Sequence, residues 1–200
     1  MAGSRALGRL LIALLLLDTV LAWMAMQASF VLLELVWRAV AAEENWRPLI
    51  EAHARQFTWL RTLEAAAWLA TAALFVGWMR RIRKSLIAAG RLSGGASALR
   101  PLRLTAQMWR AVVGGGGARV SPRLGWWWAL LCAVAGVEAW ALVRLVVAGT
   151  PLELGRGLML VVVASALEIA LAVLTVFVVV AIQDGLAAPP GATHGDSGTR

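Results

Sequence analysis

Residues 155–182 read GRGLMLVVVASALEIALAVLTVFVVVAI, and this run decides the fold class. It is longer than the roughly 20 apolar residues that a helix needs to cross the hydrocarbon core of a bilayer. Three stretches of the same kind lie upstream, at 7–33, 59–79 and 124–148. Asn45 followed by Pro48 predicts that the second helix starts well outside the bilayer. The pattern predicts an all-α, four-helix transmembrane bundle.

The composition of the whole chain agrees with a membrane domain. Apolar residues make up 60% of the 200 residues, compared with roughly 45 to 50% in soluble globular domains. We therefore assign residues 1–185 to one integral membrane domain and predict that residues 186–200 form a disordered carboxy-terminal tail. A cleaved signal peptide is the alternative for the first stretch, because Arg5 and Arg9 precede an apolar run. The apolar character continues to Leu33, which favours an uncleaved helix.

Basic residues predict how this domain lies in the membrane. The net charge is +8, and ten of the 19 lysine and arginine residues lie in the loop at 80–123. Together with the two terminal segments, that side of the membrane holds thirteen basic residues, and the other side holds six. Because positive residues mark the cytoplasmic side, both termini and this loop are predicted to be cytoplasmic. The charge also indicates anionic lipids of the bilayer as partners rather than nucleic acid.

Part of this cytoplasmic loop is amphipathic. On a helical wheel, the segment Leu99 to Val113 places Arg100, Arg103 and Arg110, here called the loop arginines, on one side and Trp109 on another. The pattern predicts an interfacial amphipathic helix at the cytoplasmic face. Such a helix either follows the membrane surface as a connector or docks anionic lipid or a partner protein.

Three consecutive tryptophans, Trp126, Trp127 and Trp128, stand at the start of the third stretch. Adjacent helical residues point in different directions, so the three side chains cannot all line one pocket. The pattern favours an aromatic belt at the membrane interface. Base stacking and a cage for a cation are the alternatives.

Acidic residues inside the apolar stretches are the candidate functional residues. Each stretch carries one: Asp18, Glu64, Glu138 and Glu168. At about 1.5 Å rise per residue, three of them lie within roughly 5 Å of the midplane, whereas Glu64 lies nearer the outer boundary. A charge at that depth costs at least about 2.5 kcal/mol on insertion scales, so these groups are predicted to face the bundle interior, to find a partner or to stay protonated. Arg61 and Arg144 are the bases at similar depth, and Arg61 can reach Glu64 at i, i+3.

The acids support two hypotheses about function. In the first, they hydrogen-bond between helices, and the protein is a scaffold or accessory subunit that acts through helix packing and its basic cytoplasmic loop on a membrane-protein partner or a second copy. In the second, they form a proton or cation relay in a small oligomeric transporter or channel. Proline is missing from the middle of every stretch, which favours the first hypothesis, because many transporters build midplane sites from broken helices. No metal, phosphate-binding or nucleophile motif is present, so the sequence predicts no enzyme and no cofactor.

Four short motifs occur in order along the second half of the chain: Trp78-Met79-Arg80-Arg81, Arg100-Pro101, Met108-Trp109-Arg110 and Trp126-Trp127-Trp128-Ala129-Leu130. Over residues 59–184 they resemble the bacterial membrane family known as domain of unknown function 4328. Members usually have a further tryptophan-rich apolar stretch before the Arg-Pro element, whereas residues 85–99 fill that space here without tryptophan. The resemblance implies a multi-pass protein of the bacterial inner membrane and brings no established activity with it.

Overall fold

The computed structural model of the chain describes residues 2–42, 47–90, 106–107, 109, 111–112 and 122–187. Within these residues the chain forms four long helices and no strand. The helices are α1 (Ala2–Ala42), α2 (Arg47–Ala88), α3 (Pro122–Val147) and α4 (Pro151–Ala187). All four are long and apolar enough to cross a membrane, which confirms the all-α, four-helix prediction.

The first two helices extend well beyond the apolar stretches that predict them. α1 has 41 residues and α2 has 42, which at 1.5 Å per residue is about 60 Å, twice the hydrocarbon thickness of roughly 30 Å. Backbone hydrogen bonding continues past the apolar residues, and the extension of α1 carries an i, i+4 ion pair between Glu34 and Arg38. α2 begins at Arg47, next to Pro48, so its start outside the apolar stretch agrees with the prediction.

A tight turn joins α3 to α4. The carboxylate Oε2 of Glu153 accepts the backbone N–H groups of Gly149 at 2.9 Å and Thr150 at 3.2 Å. In return, the Thr150 hydroxyl accepts the backbone N–H of Glu153 at 3.3 Å. This reciprocal capping box, with Pro151 at the first helical position, fixes the start of α4.

Packing within the bundle depends on small residues and on two apolar clusters. The closely packed pairs among the described helices are α1 with α4, α1 with α2, and α3 with α4. Ala25 and Ser29 of α1 and Ala164 and Ser165 of α4 are fully buried, and small side chains of this kind let helix backbones approach closely in a membrane. The smaller cluster joins Leu32, Leu33 and Val36 of α1 to Leu158 of α4. The larger cluster lies around Trp78, toward the end of the bundle that contains Arg80.

Part of the predicted interfacial helix contacts this cluster. The side chains of Trp109 and Val112 are half-buried against it. Val112 is so close to Gly185 that a Cβ atom at position 185 would lie 2.6 Å from the Val112 carbonyl oxygen. The loop arginines, and therefore the predicted helix as a whole, lie outside the described residues, as does the tail beyond Ala187. The contact partner of Trp109 is thus the bundle itself.

Candidate functional site

One guanidinium lies between carboxylates from two helices. Arg61 Nη1 donates a hydrogen bond to Glu64 Oε2 on α2, and Arg61 Nη2 donates to Glu138 Oε2 on α3. The Glu64 side chain is 4% exposed, and those of Arg61 and Glu138 are each about a quarter exposed. The contact with Glu64 is the one that the i, i+3 spacing predicts. The contact with Glu138 joins residues 77 positions apart, and no local spacing could reveal it.

Two more acids complete the group. Glu168 of α4 lies against the carboxyl group of Glu64, and Asp18 of α1 is close enough to Glu64 for their charges to interact. The site therefore draws one acid from each of the four helices, with Arg61 as the base that bridges two of them. We call Asp18, Glu64, Glu138 and Glu168 the carboxylate cluster.

Some carboxyl oxygens of the cluster are buried without a partner. Asp18 Oδ1, Glu64 Oε1 and Glu138 Oε1 have no hydrogen-bond partner among the described residues. A buried oxygen acceptor that is left unpaired costs about 1 to 3 kcal/mol, and more when it is charged. A bound cation pairs with such an oxygen, and a bound proton removes the additional cost of its charge. The described part of the chain contains no group of three or more histidine, cysteine or acidic side chains arranged to hold a metal ion.

A cavity of about 330 Å³ begins beside the cluster. Asp18 and Glu168 line it near the cluster, and Arg80 and Arg83 line it at the other end. Its lining on α2 runs from Trp68 to Arg83, which is about 22 Å along a helix at 1.5 Å per residue. Most of the remaining wall is apolar. Two of the deep acids predicted from the sequence therefore face one shared space.

The three consecutive tryptophans take different places. Trp126 is 72% exposed on the outside of the bundle, the placement that a membrane-interface anchor needs. Trp127 is buried, and its Nε1–H donates a hydrogen bond to the Thr175 hydroxyl at 2.8 Å. Trp128 packs edge-on against Trp127, with 4.9 Å between ring centroids, and both rings line the cavity. Trp127 is thus a core residue rather than an interface anchor.

Arg144 lies apart from the cluster. Its guanidinium stacks over the Trp140 ring, 5.2 Å from the centroid, on the exposed side of α3. Arg144 lies at a depth in the membrane similar to that of the acids, but its side chain points away from them around the helix axis. Six residues separate it from Glu138, which turns its side chain about 240° around the helix axis.

Comparison with protein-family models, with curated proteins and with solved structures finds no match to this chain. The functional argument therefore rests on the carboxylate cluster and its cavity.

Proposed function

We propose that this chain is a small multi-pass transporter or channel that moves protons through its carboxylate cluster, as a monomer or a homo-oligomer. The observation that carries the proposal is that four acids, one from each helix, lie near one another, with Arg61 ion-paired to two of them and two of them facing a cavity. A purely structural bundle needs hydrogen bonds between helices, but it does not need acids that line a cavity.

Charge balance supports proton binding at the cluster. If every group were ionised, the four carboxylates and the Arg61 guanidinium would carry four negative charges and one positive charge. Each uncompensated charge near the bilayer centre costs at least about 2.5 kcal/mol on insertion scales. Protons remove this cost, and acids that gain and lose protons can relay them. Asp18 and Glu168 are the members that we expect to exchange protons, because they face the cavity.

The cavity supplies a route toward one side of the membrane. It leads from the cluster to Arg80 and Arg83, at the end of the bundle that the sequence predicts to be cytoplasmic. In the opposite direction, Arg61 lies about 10 Å beyond Trp68 along α2, where its ion pairs join α2 to α3. A cavity on one side and an ion-pair bridge on the other fit one state of an alternating-access cycle.

Proton flux into reconstituted vesicles tests this proposal. Under an imposed membrane potential, vesicles with the unmodified protein should acidify or alkalinise faster than empty vesicles, as read by a trapped pH-sensitive dye. Asp18→Asn and Glu168→Gln should each reduce the rate toward that of empty vesicles. Glu34→Gln and Asp184→Asn remove the same chemistry at exposed positions and should leave the rate unchanged. Equal rates with and without the unmodified protein would refute proton transport.

A scaffold or accessory subunit is the second candidate, and one observation favours it. The Arg61 bridge joins α2 to α3, and these two helices are not among the closely packed pairs of the described bundle. A cluster whose only role is to hold α2 and α3 together would give no flux, and its amide variants would change stability alone. Co-purification of another membrane protein with the full chain would then identify the partner.

We further propose a non-enzymatic protein of the bacterial inner membrane, with both termini cytoplasmic and with anionic lipids as partners at that face. The distribution of basic residues and the resemblance to domain of unknown function 4328 support these points. A reporter fused near Gly95 that is active only in the cytoplasm is the expected result. A reporter active only in the periplasm would reverse the orientation.

A further inference from the structure

The cavity lies along the seam between α2 and α3. Both helices contribute to its wall, and α1 and α4 form its back, although α2 and α3 are not a closely packed pair among the described helices. Side-chain contacts bridge the seam instead, among them the Phe75 and Trp127 rings with 5.6 Å between centroids. A space bounded by side chains rather than by packed backbones can admit a small molecule by rotamer changes.

The wall is chemically suited to a flat or bulky apolar body. Trp68, Phe75, Trp127 and Trp128 present aromatic rings to the cavity, and leucine, alanine, valine and methionine side chains fill most of the remainder. Its volume of about 330 Å³ lies within the range of small-molecule sites, roughly 300 to 1,000 Å³. Aromatic faces also attract cations, because the ring quadrupole is negative above and below the ring plane.

The charged side chains that face the cavity determine which sign of charge a ligand can carry. Asp18 and Glu168 lie at the deep end, where an anion would be repelled and a neutral alkyl chain would leave the carboxyls facing hydrocarbon. Arg80 and Arg83 line the other end, about 18 Å or more from the level of Trp68 along α2. At that distance they do not neutralise the deep carboxyls, and Arg61 is already bonded to Glu64 and Glu138.

We propose that this cavity binds a lipophilic organic cation with an aromatic body, whose charge lies beside Asp18 and Glu168 and whose binding releases protons from these carboxyls. This proposal rests on the proposed function, and it adds the class of substrate whose transport proton movement would drive. The cation and the proton would use the same oxygens in turn. Binding of one therefore weakens binding of the other by mass action.

Binding of tetraphenylphosphonium to the purified full chain in nanodiscs tests the proposal. Titration calorimetry should detect saturable binding, and weakly buffered samples should release protons as the cation binds. Tetraphenylborate has nearly the same shape and the opposite charge, and we expect no saturable binding of it. Asp18→Asn and Glu168→Gln should each weaken phosphonium binding by roughly tenfold or more, the effect of losing one charge-assisted contact. Glu34→Gln should leave binding unchanged.

The unmodified protein provides a test that does not depend on folded variants. Its affinity for tetraphenylphosphonium should fall as the pH is lowered, because protons occupy the carboxyls. Equal binding of the cation and the anion, or affinity independent of pH, would overturn the proposal. Proton flux without phosphonium binding would overturn the cation site and leave the proton pathway intact. Phosphonium binding without any flux would leave the site intact and refute transport.

Discussion

Replacement of Arg61 by methionine tests whether the guanidinium stabilises the bundle. Met keeps much of the apolar length of the side chain and removes the donors to Glu64 and Glu138. Loss of one partner from a buried ion pair costs about 3 to 5 kcal/mol. Because about a quarter of the Arg61 side chain is exposed, we expect the lower end, about 3 kcal/mol, which is roughly a hundredfold in the folding constant.

Thermal unfolding in detergent, followed by tryptophan fluorescence, measures this loss. Arg38→Met is the matched control, since the Arg38 ion pair with Glu34 is also made within one helix turn but is exposed. It should cost no more than about 1 kcal/mol. Changing Glu64 and Glu138 to glutamine in the Arg61→Met protein should restore much of the stability, because the orphaned charges are gone.

Two results would refute this reasoning. If Arg61→Met unfolds at the same temperature as Arg38→Met, the bridge contributes no more to stability than an exposed ion pair. If the added glutamines fail to restore stability, the loss comes from packing rather than from unpaired charge.

Three further predictions concern other parts of the fold. Trp127→Phe removes the donor to Thr175 and should lower the free energy of unfolding by at least about 1 kcal/mol, whereas Trp126→Phe on the exposed side should change it little, as thermal unfolding will measure. Glu153→Gln weakens the capping box, and hydrogen exchange in the first turn of α4 should speed up severalfold with no change in the middle of the helix. Charge reversal at the three loop arginines should weaken association of the purified loop segment with liposomes in proportion to their anionic lipid content, and unchanged association would argue against interfacial docking.

The sequence predicted the helices well because hydrophobic length is a local property. Each apolar stretch contains its own evidence for a membrane span, and the i, i+3 contact of Arg61 with Glu64 follows from helical spacing alone. The helix ends were predicted less accurately. Polar turns such as that of Glu34 and Arg38 extend α1 past its apolar residues, and hydropathy does not detect them.

The candidate site could be predicted only in part. The acids were evident because charge is rare inside apolar stretches, but their convergence depends on how four helices are rotated and tilted against one another. Glu64 was placed away from the other acids by its position in its stretch, yet it contacts Glu168 and shares Arg61 with Glu138. One signal was present for the cavity wall: Trp68, Phe75 and Met79 recur on one face of α2 at helical spacing.

Infrared spectroscopy of the protein in membranes tests most directly whether the cluster holds protons. Protonated carboxyl groups have a carbonyl stretching band that is separate from the bands of carboxylates. We predict such a band in the unmodified protein at neutral pH, reduced when Asp18→Asn and Glu168→Gln are combined and retained when Glu34→Gln and Asp184→Asn are combined. Absence of the band from the unmodified protein, or an undiminished band in the first double variant, would contradict a proton-binding carboxylate cluster.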